Sequence, residues 1–457
     1  MREEIEARPA LLLFIGFVLG LVALPFPVAC LFLAGFAFWV RLLPRKWLLV
    51  GSFVIGLVLS PVPRKPLVER TIEHGVGVVT AVPILMGDSQ RTEVSMEGRT
   101  LMATMPLLPS VMLGDHIRVS GVAKPIELAQ PRMSAFDRVE GRISLERVEV
   151  VSEGSWVAHL ADGWRRSFLG FLQRALSTRD ANLVDAVCFN GRALIDGATR
   201  EELVQSGLIH LISASGLQVF VLAYLTAALL RFFPVPRSVG VLILACILTV
   251  YAIGAGLQPQ IVRAAFMSVA GIAAFLVGRE PDALSALSLS GIAYLLWRPE
   301  SVYSMSFQLS MIVVGSVSLF FRRDRGSPTG NREAVIRFAQ EFGRLSWVVL
   351  LASTPLVAYY LGVVSLPSVF ANLMVCWETP LVVAAAFVAH AVSLVLPTVG
   401  EAMANLVLTP LSHWVHGVAG LMGSGWGGVQ VPDFNGLWLV IFYGAWSMTY
   451  RRRVVQP

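Results

Sequence analysis

Between Pro9 and Val40 the chain carries no charged side chain. A helix needs roughly 20 apolar residues to cross a bilayer, and this run exceeds that. It is also too long for the apolar segment of a secretion signal, and the preceding Glu3, Glu4 and Glu6 offset Arg2 and Arg8, so the start is not basic either. Pro25-Phe26-Pro27 interrupts the run. Proline removes a helical donor and clashes with the preceding turn, so the run reads as two short membrane helices, near 10–24 and 27–41. The rest of the chain agrees: of 457 residues, 55% are hydrophobic and 14% charged, against roughly 25% charged in soluble chains. So few charges cannot cover a soluble protein of this size, and most of the chain is expected in lipid.

Arg41, Arg45 and Lys46 form a basic loop, residues 47–62 a third helix, and Arg64-Lys65 ends it. Charge density then rises. Alternating stretches at Val76–Val82, Ile117–Val122 and Ile143–Val150, separated by Gly87-Asp88, Gly98 and Gly114-Asp115, predict a small β-barrel or sandwich. The turn and strand at Leu113–Gly121 resemble those of OB-folds. Residues 156–177 predict an amphipathic helix with Trp156, Leu160, Trp164, Phe168 and Phe171 on one side and Arg165, Arg166 and Arg174 snorkelling. A polar helical stretch, 178–207, follows.

Further spans are expected near 213–233, 238–257, 261–278, 283–297, 301–321, 345–361, 379–397, 402–422 and 435–450, with a half-helix or re-entrant piece at 366–378. The expected class is a mainly α-helical polytopic membrane protein with a small soluble all-β, OB-fold-like domain inserted after the N-terminal helices. Its segments are 1–63, N-terminal helices; 64–155, the β domain; 156–207, amphipathic and linking helices; and 208–457, the membrane core. Basic loops at 41–46, at Arg231 and Arg237, across 322–344 and at Arg451–Arg453 can all be cytoplasmic if 366–378 does not fully cross. That places the β domain outside and gives about twelve crossings.

Three polar clusters break the apolar core. They are Ile209–Gln218, with His210, Ser213, Ser215 and Gln218; Gly254–Arg263, with Gln258, Gln260 and Arg263; and Ser304–Ser310, with Gln308 and Ser310. Polar groups in a membrane need partners or water. Each reads either as interhelical hydrogen bonding, the commoner role of a single Ser, or as the lining of a wet path. Arg263 has no carboxylate near it in sequence, and Glu378 is a lone acid within a long apolar segment.

His210 has no second metal ligand at a suitable spacing. His413 and His416 share a helix face but lack a carboxylate nearby in sequence, and read as helix-interface or mouth residues. Cys30, Cys188, Cys246 and Cys376 are scattered and suit neither a zinc site nor a disulfide framework. No metal and no cofactor is expected. No Walker loop, GxGxxG or GxSxG motif is present, so no catalytic residue is assigned, and any directional transport would draw its energy from a partner or a gradient.

The stretch His210-Leu211-Ile212-Ser213-Ala214-Ser215-Gly216-Leu217-Gln218-Val219 resembles the His-Leu-x-x-x-Ser-Gly-Leu-His-Val signature of the ComEC-type competence proteins. Val262-Arg263-Ala264-Ala265 and Phe307-Gln308-Leu309-Ser310 resemble two further segments of that family, in the same order. Thr354-Pro355 and Asn372 also fit. The resemblance covers roughly residues 10–450. It implies an external OB-fold and a core that carries single-stranded DNA across the bacterial inner membrane during natural transformation. His210, Ser215, Gly216, Arg263, Gln308 and Ser310 are the residues that match the family's motifs, and with Ser213, Gln218, Gln258, Gln260 and Glu378 from the polar clusters they are the candidate lining of that path. The implied partners are single-stranded DNA, membrane lipid, a periplasmic DNA receptor, a cytoplasmic DNA-binding protein or helicase, and a separate nuclease.

Gln218 stands where the family usually has His, and Arg298 where it often has Asn. No His-x-His-x-Asp-His motif is found, so the family's metallo-β-lactamase-like nuclease is not expected within these residues.

Residues 64–165 hold 12 Lys+Arg and 13 Asp+Glu, and Phe136 is the one aromatic between Lys65 and Gly154. Generic single-strand binders use a basic groove and stacking rings. The β domain is therefore expected to touch DNA weakly, through Arg118, Lys124, Arg132, Arg138 and Arg142. Two rival readings stand beside the DNA channel: a shortened relative moving another polar solute, and a membrane hydrolase built on His210 with Ser213 or Ser215.

Overall fold

The computed structural model describes residues 8–23, 46–60, 69–125 (except 82, 87 and 88), 139–191, 194–212, 216–276, 278, 282–320, 331–364, 368–423 and 429–446 (except 433, 437 and 440). The expected helix at 27–41, the loop arginines Arg41 and Arg45, the pair Arg64-Lys65, residues 322–330 and Arg451–Arg453 lie outside them.

The elements run α1 (Pro9–Ala23), α2 (Lys46–Val58), β1 (Arg70–Val79), β2 (Ile84–Met86), β3 (Ser89–Met96), β4 (Arg99–Pro106), β5 (His116–Pro125) and β6 (Val139–Ser152). Helices follow: α3 (Trp156–Ala175), α4 (Thr178–Phe189), α5 (Gly197–Gln205), α6 (Gly216–Leu230), α7 (Arg237–Gly254), α8 (Pro259–Leu276) and α9 (Ala283–Trp297). After a 3₁₀ turn at Pro299–Tyr303 come α10 (Met305–Phe320), α11 (Asn331–Leu361), β7 (Val363–Val364), α12 (Ser368–Val375), α13 (Thr379–Ser393), α14 (Pro397–Gly423) and β8 (Val429–Gln430). The chain packs as two units. One comprises residues 1–63, 280–373 and 427–457, the other 64–279 and 374–426.

In the first unit α1 lies against α2, and the backbones approach closely at two glycines. A Cβ at Gly20 would strike the Phe53 carbonyl oxygen, and one at Gly56 would strike that of Phe17. Small residues that let backbones touch are how helices associate where water supplies no hydrophobic drive. Arg8 pairs with Asp282 at 3.0 Å, while Asp282 caps α9 by accepting from Ser285 N at 2.9 Å.

In the second unit the strands form a ring: β1 pairs β5, β5 pairs β6, β6 pairs β4, β4 pairs β3, and β3 returns to β1. β4–β6 is parallel, the other pairs antiparallel, and β2 hangs on β3. Val79, Val94, Leu101, Ala103, Ile117, Val119 and Ile143 fill the inside. Asp115 fastens the ring to α3. It accepts from Met112 N and Gly154 N, each at 2.7 Å, and lies 3.5 Å from His159 Nε2.

The helices of this unit surround an aromatic cluster of Trp164, Phe168, Phe189, Tyr251 and Phe387, with Phe171 and His390 at its edge. The expected stripe on α3 is only partly right. Phe168 and Phe171 are buried, but Trp156 and Leu160 face outward. Arg165 does not snorkel: it is buried beside Asp185 of α4, 3.7 Å away, because that fully buried acid needs a counter-charge.

Among the described residues two segments are long and apolar enough to cross a membrane by length and composition, Arg237–Gly254 and Phe370–Ser393; six shorter apolar helices accompany them.

Candidate functional site

The first two polar clusters meet in the second unit. α6 begins at Gly216, and a Cβ there would lie 3.1 Å from the Ala264 side chain on α8. Gly216 has no left-handed φ. Glycine is needed here for close approach rather than for backbone freedom. Two residues on, Gln218 is buried and donates from Nε2 to the carbonyl of Val187 at 2.7 Å, tying α6 to the end of α4. Gln260, on the first turn of α8, is buried as well, while Gln258 precedes that helix half-exposed, its carbonyl accepting from Ile261 N and Val262 N. His210 sits in an exposed turn, Nδ1 3.1 Å from the Gly207 carbonyl. Ser213 and Ser215 lie outside the described residues.

Arg263 is 4% exposed, one turn into α8. Nη1 reaches Met267 Sδ at 3.8 Å, and Nε has no hydrogen-bond partner among the described residues. A thioether is a weak acceptor, so among the described residues this guanidinium is buried without a counter-ion.

Glu378 is 1% exposed and precedes α13 in the turn Cys376–Glu378, which breaks the apolar segment Phe370–Ser393. Neither carboxyl oxygen has a hydrogen-bond partner among the described residues. It lines a cavity of about 20 Å³ together with Thr379 and Ser412; every other lining residue is Val or Leu. Ser412 is 2% exposed and its hydroxyl is also unpartnered. The start of α13 favours an anion by about 0.3–1 kcal/mol, but an unpaired buried charge costs several kcal/mol.

One cluster was not readable from sequence. Asp180, near the start of α4, lies 3.5 Å from His413 Nε2 and 3.7 Å from His416 Nε2. The carboxylate that the pair lacks locally comes from a distant helix, and no sequence signal links them. Among the described residues no group of three or more His, Cys, Asp or Glu is arranged to hold a metal.

The third cluster belongs to the first unit. Ser304 caps α10 by accepting from Phe307 N at 3.2 Å. Gln308 is engaged at both ends: Nε2 donates to the Val302 carbonyl at 2.9 Å, and Oε1 accepts from Tyr360 Oη at 3.1 Å. Ser310 Oγ is buried without a partner among the described residues.

On the strand ring, Arg118 pairs with Glu149 at 2.8 Å and Lys124 with Glu69 at 3.2 Å. Arg142 is exposed, opposite Lys124 in the β5–β6 register. Arg132 and Arg138 lie outside the described residues.

Residues 187–453 match the family described as competence protein. That is more than half of the chain, which belongs to this family. The chain is 25% identical over 210 residues to the ComE operon protein 3 of Bacillus subtilis (strain 168). That stretch is 46% of this chain and 26% of the relative, so the chain matches about a quarter of that protein's length. No solved structure matches.

Proposed function

We propose that this chain is a polytopic inner-membrane conduit that carries single-stranded DNA into the cytoplasm during natural transformation. The match to the competence family over residues 187–453 carries this reading, and the relative's name points the same way. The surfaces of the helices support the membrane part. On α7, Leu244, Leu248 and Tyr251 face inward, yet the outward positions Val239, Leu242 and Cys246 are equally apolar. Thr249, also outward, returns its hydroxyl to the Ala245 carbonyl at 2.7 Å. A helix apolar on both sides suits lipid, and spans of this kind set in one bilayer make the protein multi-pass.

The strand ring, with its single parallel pair, is read as an OB-fold standing outside the cytoplasm. Its paired arginine and lysine make it a weak guide for DNA. Weak contact favours passage, since tight binding at an entrance slows release. The aromatic cluster fills the second unit, so a strand passes only when helices part. Candidate contacts along the way are Arg263, Gln258, Gln260, His210, Gln218 and Glu378, with Ser213 and Ser215 of the first motif and Gln308 and Ser310 in the other unit. A periplasmic DNA receptor, a cytoplasmic DNA-binding protein or helicase and a separate nuclease complete the system.

The test follows labelled DNA past the inner membrane in cells carrying Arg263→Ala or Gln308→Ala, with protein levels checked. Entry should fall at least tenfold, about 1.4 kcal/mol of lost stabilisation for the passing strand. Normal entry in a clean deletion of the gene overturns the reading.

A further inference from the structure

The chamber beside Glu378 combines three features that packing alone does not require. It is a cavity of about 20 Å³, enough for one water or one small ion, which needs roughly 10–15 Å³. It presents two polar side chains, Glu378 and Ser412, each more than nine-tenths buried and without a hydrogen-bond partner among the described residues. It sits where a helical segment breaks, at the turn Cys376–Glu378. Broken helices inside membrane proteins free backbone carbonyls to coordinate cations.

We propose that this chamber binds one monovalent cation, a proton or a sodium ion, on the carboxyl group of Glu378 with the hydroxyl of Ser412 as its second contact. One carboxylate neutralises one positive charge, and among the described residues the chamber holds no second acid for a divalent ion. The charged groups on the packed elements are occupied elsewhere. On α4, Asp180 faces His413 and His416 of α14, Asp185 faces Arg165, and Arg179 donates to Thr199 and Glu202. On α13, His390 lies against Phe168 and Phe171. Leu211, from the first family motif, forms part of the wall. The chamber therefore borders the motif itself, at Leu211. The site stands whether or not the chain carries DNA.

A hydrophobic carbodiimide tests the proposal on the full chain in detergent. It reacts with a buried carboxyl group that carries its proton, and the adduct on the Glu378 peptide is read by mass spectrometry. If a proton is the ligand, labelling falls roughly tenfold per pH unit once the group ionises, and sodium chloride has no effect beyond that of potassium chloride. If sodium is the ligand, sodium chloride at constant pH suppresses labelling, potassium chloride does not, and Ser412→Ala weakens the protection. Either result supports the site. Labelling of Glu378 that responds to neither pH nor sodium overturns it, as does no labelling at all in a chain whose thermal transition shows it folded. Glu378→Gln, which keeps the shape and cannot ionise, should fold normally and lose the pH or sodium dependence of that transition. A Gln variant that keeps the dependence also overturns the site.

Discussion

Exchanging the methyl group between α6 and α8 separates a packing role for Gly216 from a role in touching a passing strand. A Cβ at Gly216 would stand 3.1 Å from the Ala264 side chain, where ordinary contact begins at 3.4 Å. Gly216→Ala therefore forces the helices apart by a few tenths of an ångström. Overpacking of this kind costs about 1–3 kcal/mol, and the low end applies because one methyl meets another and no backbone is struck. Replacing glycine in a helix returns up to about 1 kcal/mol, leaving a net loss of at most about 1 kcal/mol. Ala264→Gly alone loses about 1 kcal/mol of helix propensity. The double variant Gly216→Ala/Ala264→Gly restores the contact with the methyl on the other side. It should be more stable than the sum of the two single losses by about 1 kcal/mol. The measurement is unfolding of each variant in the same detergent, alongside labelled-DNA entry. Strictly additive losses would refute the contact argument. A stable double variant that still blocks entry would show that the strand, and not Ala264, needs the bare backbone at position 216.

Glu149→Gln and Glu69→Gln release Arg118 and Lys124 from their pairs. The full chain should then bind an oligothymidylate more tightly, with a salt slope steeper by about 0.7 per freed cation; unchanged affinity and slope would show that the strand ring does not meet the phosphates. Arg165→Ala strips the counter-charge from the buried Asp185 and should cost about 3 kcal/mol. Burial pushes the Asp185 carboxyl above its ordinary value of 3.8, with Arg165 opposing. The folded chain thus holds that proton more tightly than the unfolded one, and stability falls as pH rises from about 3.8 to the folded value. Without Arg165 the decline should extend to higher pH, and a variant whose melting temperature follows the parent's pH profile would disprove the coupling.

The strands with apolar inner positions were legible. Val76–Val82, Ile117–Val122 and Ile143–Val150 fall within or across β1, β5 and β6. The β3–β4 hairpin was not, although Gly98 marked its turn. Its inward side opens with Gln90 and Thr92 before Val94 and Met96, so the alternation starts polar. Gln90 tolerates burial because Nε2 donates to the carbonyls of Pro106, at the end of β4, and Pro109, just beyond it, partners that no local pattern reveals. The same limit hid the site. Glu378 and Arg263 stood out because a charge in an apolar run is visible at any distance. Asp180 did not, because its value lies in meeting histidines from the other end of the chain.

That contrast bears on why the interior charges persist. Asp185 has Arg165, and Asp180 has two histidines. Each pair joins α4 to another helix, and replacing both members with apolar residues of similar shape would often be tolerated. Arg263 and Glu378 lie in the same unit, carry opposite charges, and each lacks an ion pair among the described residues. Were their task structural, pairing would be the cheapest way to keep them. Left apart, each retains a full unmet demand: the guanidinium for an anion, the carboxylate for a cation.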